Sequence, residues 1–157
     1  MWHLVLSKPR QERIAAINLE RQGFQVFLPM IGREIFRQSS LERVEESLFK
    51  RYLFVNFDQN TSPWHVIRNT KGVSELIRFG SVMATVPDEV IEALKNHDRP
   101  TSQIFTQGDI LKVTEGPFKD LEVVYQLRDG NQRAIVLIEM LNKIQKIKVD
   151  IQSLKKS

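Results

Sequence analysis

Apolar residues in the first half of the chain fall into short runs, some of strand spacing and some of helix spacing. Trp2 to Leu6 is one such run, stopped by Lys8-Pro9-Arg10, and predicts a buried strand. Between residues 11 and 21, Ile14, Ala15, Ile17 and Leu19 lie among Glu12, Arg13, Glu20 and Arg21. With Gly23 placed where a helix C-terminus favours a left-handed residue, this predicts a helix of about three turns. Residues 24–28 predict a second strand, closed by Pro29. Residues 31–47 carry Arg33, Glu34, Arg37, Glu42, Arg43, Glu45 and Glu46 with few bulky apolar side chains, which predicts a long solvated hairpin with its tip near Ser39. The strongest strand signal, residues 52–57, is expected at the centre of the sheet. Ser62 and Pro63 read as the cap and first residue of a short helix over 63–69. Residues 73–79 read as a strand, Gly80-Ser81 as a turn, and 87–94 as a helix with acidic residues at its N-terminal end. The order βαβ, hairpin, βαβα implies an α/β (α+β) domain over residues 1–95, a mixed sheet flanked by helices. Residues 96–107, polar and containing Pro100, read as a linker.

Residues 108–157 carry two periodicities at once. Residues 108–113 open like a strand, Glu115-Gly116-Pro117-Phe118 like a turn, Asp129-Gly130 signals a hairpin, and residues 147–151 alternate strictly. That pattern describes a small five-stranded barrel. Yet Phe118, Leu121, Val124 and Tyr125 keep helical spacing, as do Leu137, Met140, Leu141, Ile144 and Ile147, and no glycine or proline interrupts either stretch. The same residues therefore also describe a two-helix hairpin. Short apolar runs are ambiguous between helix and strand, which alone accounts for the double pattern. The alternative is two competing folds of nearly equal free energy, with contact to residues 1–95 choosing between them.

Composition narrows the chemistry. The 157 residues include 23 Lys plus Arg against 19 Asp plus Glu, a net charge of +4, enough to tolerate a polyanion without establishing that one binds. The absence of cysteine removes disulfides, thiolate chemistry and cysteine zinc sites. No apolar stretch approaches the roughly 20 residues of a membrane helix and no secretory signal is visible, so a cytoplasmic protein without a membrane partner is expected. His3, His65 and His97 lack metal-ligand spacing, no glycine loop suits a phosphate, and no serine lies in a nucleophile signature. A binding protein is expected, with no catalytic residues, cofactor or metal. Lys8, Arg10 and Arg13 cluster where the first strand meets its helix, and Arg68 and Lys71 end the short helix. If those loops are neighbours they form a basic patch able to neutralise phosphates; otherwise they are scattered surface charges.

Several stretches together resemble the NusG family of transcription elongation factors and, within it, the specialised RfaH branch. They are the Trp2 strand leading to Lys8; the helix ending Leu19-Glu20-Arg21-Gln22; Glu46-Ser47-Leu48-Phe49-Lys50-Arg51-Tyr52-Leu53-Phe54-Val55; Thr70-Lys71-Gly72-Val73; Arg78-Phe79-Gly80; and a KOW-like Gly108-Asp109 with Val113-Thr114-Glu115-Gly116-Pro117-Phe118. General NusG proteins place glycines inside the KOW barrel where this chain has Leu121-Glu122-Val123 and Leu141-Asn142-Lys143. Losing a glycine lowers the cost of helix by roughly 1 kcal/mol per site, which favours the RfaH branch. The resemblance implies an N-terminal NGN-like domain over 1–95 and a KOW domain over 108–157, an α-helical hairpin when docked and a five-stranded β-barrel when released. It implies an operon-specific elongation and antitermination factor, acting as a monomer, that binds RNA polymerase, suppresses pausing and recruits the ribosome.

The site residues follow by position. The resemblance places contacts to a hairpin in the non-template DNA strand on Lys8, Asn18, Arg68 and Lys71, with Asn18 standing where the branch has histidine and Ile14 where it has arginine. It places the β′ clamp helices on part of the set Leu6, Tyr52, Phe54 and Phe79, which otherwise reads as core. Pro63-Trp64-His65 stands at the branch's His-Thr-Thr triplet, which puts Trp64 and His65 at the polymerase β gate loop. Glu46 and Arg133 match an interdomain ion pair, and would otherwise be solvated charges. The ribosomal small-subunit protein NusE would meet the barrel at Val136, Leu137 and Leu141. A general NusG-type factor with a permanent barrel, or a KOW-bearing ribosome or RNA-binding module, remains the alternative.

Overall fold

The computed structural model describes residues 1–96 and 117–156; the expected strand opening at 108–113, the KOW-like stretch before Pro117 and most of the linker lie outside these residues. The chain forms β1 (Trp2–Ser7), α1 (Glu12–Arg21), β2 (Gln25–Phe27), β3 (Met30–Arg37), β4 (Ser40–Ser47), β5 (Tyr52–Asn56) and a 3-10 helix (Trp64–Asn69). Then come β6 (Val73–Leu76), β7 (Arg78–Phe79), β8 (Val82–Met83), β9 (Thr85–Val86) and α2 (Asp88–Lys95). The C-terminal segment forms α3 (Pro117–Gln126) and α4 (Gly130–Lys156).

The main sheet runs β2-β5-β1-β6, and β9 also pairs with β1. Helices flank it as expected, but every described ladder is antiparallel, so the sheet is not mixed in direction. The physical reason is that each βαβ unit is split. β5 lies between β1 and β2, and β1 lies between β5 and β6, so the parallel strands never touch. The central strand is therefore β1, with β5 beside it. The strand expected over 73–79 breaks at Ile77, whose N–H donates to Leu4 O (2.9 Å) and whose carbonyl accepts from Ala84 N (3.0 Å). β7 and β8 then form a small hairpin around Gly80. β3 and β4 make the long exposed ribbon that the charge pattern predicted, with left-handed Gln38 and Ser39 at its tip. Ser62 does not cap the short helix; its hydroxyl accepts from Asp58 N.

Strand alternation gives the sheet two buried faces. On one, Val5, Leu53 and Val55 pack with Ala15, Ala16 and Leu19 of α1 and with Ile67 of the 3-10 helix. On the other, Trp2, Leu4 and Phe54 pack with Val90, Ile91 and Leu94 of α2 and with Leu121, Val124, Leu137, Met140 and Leu141 of α3 and α4. The C-terminal segment is thus the helical alternative, and its alternating stretch 147–151 lies within α4. Leu, Lys and Gln, all good helix formers, are frequent in it, and no glycine or proline falls inside either helix after its first residue. α3 is ten residues long and marginal in isolation, and the sheet face that α3 and α4 cover adds the packing from which most helical stability in proteins comes. Each large apolar side chain buried there contributes about 1.5–3 kcal/mol before ordering costs.

Candidate functional site

The seam between the sheet and the helical hairpin is fastened at one loop. Leu48 and Phe49, between β4 and β5, are fully buried, and Lys50 N donates to Gly130 O at 3.3 Å. Arg133, one turn into α4, is 1% exposed. Its guanidinium donates to Leu48 O through Nε, to Leu127 O at 2.9 Å through Nη1, and to the Glu46 carboxylate at 2.9 Å through Nη2. A buried arginine is tolerable only with such saturation, because its charge has left water. Glu46 also faces Arg33, 3.6 Å away, so one carboxylate answers two cations. The Glu46–Arg133 pair thus joins β4 to α4, with the arginine buried and the carboxylate partly exposed.

Asp129 sets the geometry that delivers Arg133. Its side chain accepts from Asn131 N (3.0 Å) and its carbonyl from Arg133 N (3.0 Å), the arrangement of a helix N-cap. Asp129-Gly130, read as a β-hairpin turn, is therefore the start of α4. Here the sequence signal was shared by two structures, since Asp serves a turn and a cap equally well.

The residues proposed for clamp contact lie on the covered face. Phe54 is fully buried, Phe79 is half-buried against the same cluster, and Leu6 and Tyr52 line a cleft of about 470 Å³ closed on its far side by Ala134, Ile135 and Ile138 of α4. Val136 is half-buried, and Leu137 and Leu141 are buried on the face of α4 that packs against the sheet, so none of that trio presents a barrel strand. Sequence reasoning missed Leu48 O and Leu127 O as acceptors and Arg33 as a second cation. Backbone acceptors leave no mark in residue type.

On the opposite side, the segments that carry the expected basic residues are neighbours. Lys8 N donates to Gly72 O (2.8 Å), the Asn18 amide to Lys71 O (3.2 Å), and the Gln22 amide to Thr70 Oγ1 (2.7 Å). Gly72, at φ +94°, is required: a β-carbon there would stand 2.7 Å from Ala15 N. Lys8, Arg10, Arg13, Arg68 and Lys71 are all exposed, while Asn18 is half-buried with one amide hydrogen already committed. Glu12, among these cations, accepts from the Ser47 hydroxyl at 2.8 Å, tying α1 to the end of β4.

Trp64 and His65 stack on each other with ring centroids 3.9 Å apart, and Trp64 Nε1 donates to Gln59 O at 2.9 Å. They line an open groove with Arg68 of the 3-10 helix and Arg78 of β7. His3 stacks on Phe57 with centroids 3.9 Å apart; burial, then the nearby amino terminus, lowers its pKa from 6.5 to about 4. Among the described residues no group of three or more acidic or histidine side chains could hold a metal, and no helix is long and apolar enough to cross a membrane.

A family model described as NusG, transcription termination factor nusG, matches residues 1–95. Curated relatives share the name transcription termination/antitermination protein NusG. That of Escherichia coli is 24% identical over 155 residues, covering 94% of this chain and 86% of the relative. That of Rickettsia conorii is 20% identical over 152 residues, covering 92% and 79%. That of Helicobacter pylori is 28% identical over 109 residues, covering 66% and 62%.

Proposed function

The chain belongs to the NusG family of transcription termination/antitermination factors, and on that basis we propose that it is an autoinhibited, RfaH-like elongation factor. Its sheet face around Leu6, Tyr52, Phe54 and Phe79 binds the β′ clamp helices of RNA polymerase, and residues 117–156 sheathe that face until polymerase is engaged. The observation that carries this reading is the covering of an apolar sheet face by a helical hairpin fastened through Arg133 to Glu46 and Leu48. An apolar face of that extent, left bare in a free protein, would be an association surface. The basic corner of Lys8, Arg10, Arg13, Asn18, Arg68 and Lys71 contacts the non-template DNA strand, to which its exposed cations are suited. On release, the C-terminal segment refolds as a KOW barrel that meets NusE through Val136, Leu137 and Leu141. The factor acts by binding and not by turnover.

Titrating core RNA polymerase with the full chain and with its Glu46→Ser variant tests the sheathing. Tighter binding by the variant is expected; equal binding with unchanged circular dichroism rejects it. The second reading, a general NusG-type factor with a permanent barrel, draws on the shared name of the full-length relatives. Circular dichroism of residues 101–157 alone beside the full chain separates the two, since strand content in both would favour the permanent barrel.

A further inference from the structure

The open groove between the 3-10 helix and β6–β7 is joined to the basic corner by Arg68, three residues before Lys71. Both lie with the 3-10 helix, which packs on the sheet face opposite the helical hairpin, so the groove is open while the other face is covered. The groove combines groups that nucleic-acid recognition uses and that the corner lacks. His65 is exposed and lies flat on Trp64, whose ring is held by Gln59 O on one edge and packs against the apolar cluster beneath. This is an anchored aromatic platform. Arg68 and Arg78, both exposed, line the groove from the helix side and the strand side, and Glu75 lines it as well.

We propose that this groove holds one unstacked base of a single-stranded nucleic acid, extending the track of the basic corner past Arg68 to Arg78. The inference rests on the nucleic-acid reading of that corner and adds a second, chemically different subsite to it. Every base offers a π-face to an aromatic platform, whereas a duplex keeps its bases stacked and out of reach. Arg68 and Arg78 supply the cations for flanking phosphates. Glu75 repels a phosphate but accepts a hydrogen bond from an exocyclic amino group. The base and not the backbone therefore enters, and cytosine is favoured over thymine.

Fluorescence anisotropy of the full chain with labelled oligo-dC and oligo-dT of about 12 nucleotides, within the usual site size for single-strand binders, tests this. Arg78→Ala is expected to weaken oligo-dC binding about fivefold and to lower the slope of log Kd against log salt by about 0.7, one single-strand phosphate contact. His65→Ala is expected to weaken binding at least about fivefold through lost stacking. Glu75→Val should erase the preference for oligo-dC. Unchanged affinity and slope in Arg78→Ala and His65→Ala, with Lys71→Ala still weakening binding, would leave the corner standing and overturn the groove. Groove variants that lose affinity only for core RNA polymerase would make it a protein contact and overturn it too. If the wild-type chain binds neither oligonucleotide, the corner reading falls with the groove.

Discussion

Replacing Arg133 by alanine should loosen the helical hairpin by an amount that the geometry bounds. The side chain is 2% exposed and makes two contacts across the seam, to Leu48 O and to Glu46; the third, to Leu127 O, stays within the hairpin. A hydrogen bond to a charged group contributes about 1.5–3 kcal/mol, and a buried carbonyl left without its donor costs about 1–3 kcal/mol. Two terms pull the sum down. Glu46 is 31% exposed, so water takes over part of the lost bond, and the variant no longer desolvates a guanidinium. The net loss is about 2–4 kcal/mol of docking free energy. At 1.4 kcal/mol per decade this multiplies the open population by about 30 to 1000. Helices in proteins draw most of their stability from the packing of an apolar face, so undocking α3 and α4 exposes their amides. Native-state hydrogen exchange of the Leu137, Met140 and Leu141 amides should accelerate by that factor, while amides of β1 and β5 keep their rates. Glu46→Gln, which keeps one acceptor oxygen, should accelerate exchange far less, by about fivefold for a loss near 1 kcal/mol. If Arg133→Ala left those α4 amides unchanged, the seam would not be fastened at this residue.

Three further outcomes follow from single sites. Gly72→Ala should lower the thermal midpoint well beyond Gly23→Ala, because both sit at φ +94° but only at Gly72 would the new carbon meet backbone, 2.7 Å from Ala15 N; equal losses, near the 1–2 kcal/mol of a left-handed alanine, would deny that close approach. Asp129→Ala removes the cap of α4 and should cost about 1 kcal/mol of unfolding free energy by urea titration, with Asp129→Asn close to wild type; no difference between the two would discount the cap. His3 is neutral in the folded chain down to about pH 4, whereas an unfolded histidine protonates near 6.5. Between those values the unfolded chain binds more protons, so this contribution is complete above about pH 6.5 and is lost as the pH falls toward 4. Thermal midpoints between pH 7 and 4 should drop more steeply for the wild type than for His3→Leu, and parallel profiles would contradict the assignment.

Much of the N-terminal architecture was legible because its patterns admit one reading. The Trp2 run matches β1, the amphipathic spacing around Ala15 and Leu19 matches α1, and the charged ribbon of 31–47 matches the β3–β4 hairpin. Strand neighbours were not legible. Residue spacing sets which face a side chain takes, but not that β5 would slide between β1 and β2 and leave every described ladder antiparallel. The two-residue strands β8 and β9 fell below any periodicity, though β9 pairs with β1 at Trp2 and His3. In the C-terminal segment the spacing of Leu121, Val124, Leu137 and Leu141 was correct for the helices, yet the alternating 147–151 stretch fitted a strand as well. The sheet face carrying Trp2, Leu4 and Phe54 is what these helices pack against, and a single segment's pattern cannot display its neighbour. That the segments carrying Lys8 and Lys71 are neighbours agrees with the sequence reading, which needed only two loops to meet. Arg78 was read only as part of the Arg78-Phe79-Gly80 stretch, because residue type does not show that it lines one groove with Trp64 and His65.

The covering of the sheet face can be fixed in place and then released. A β-carbon on Gly130 would stand 3.2 Å from that of Lys50, close to disulfide spacing after a small shift, and the chain has no cysteine of its own. In the Lys50→Cys, Gly130→Cys double variant, affinity for core RNA polymerase should be lost on oxidation and return on reduction. Equal binding by the oxidised and reduced forms would mean that polymerase does not need the face beneath α3 and α4.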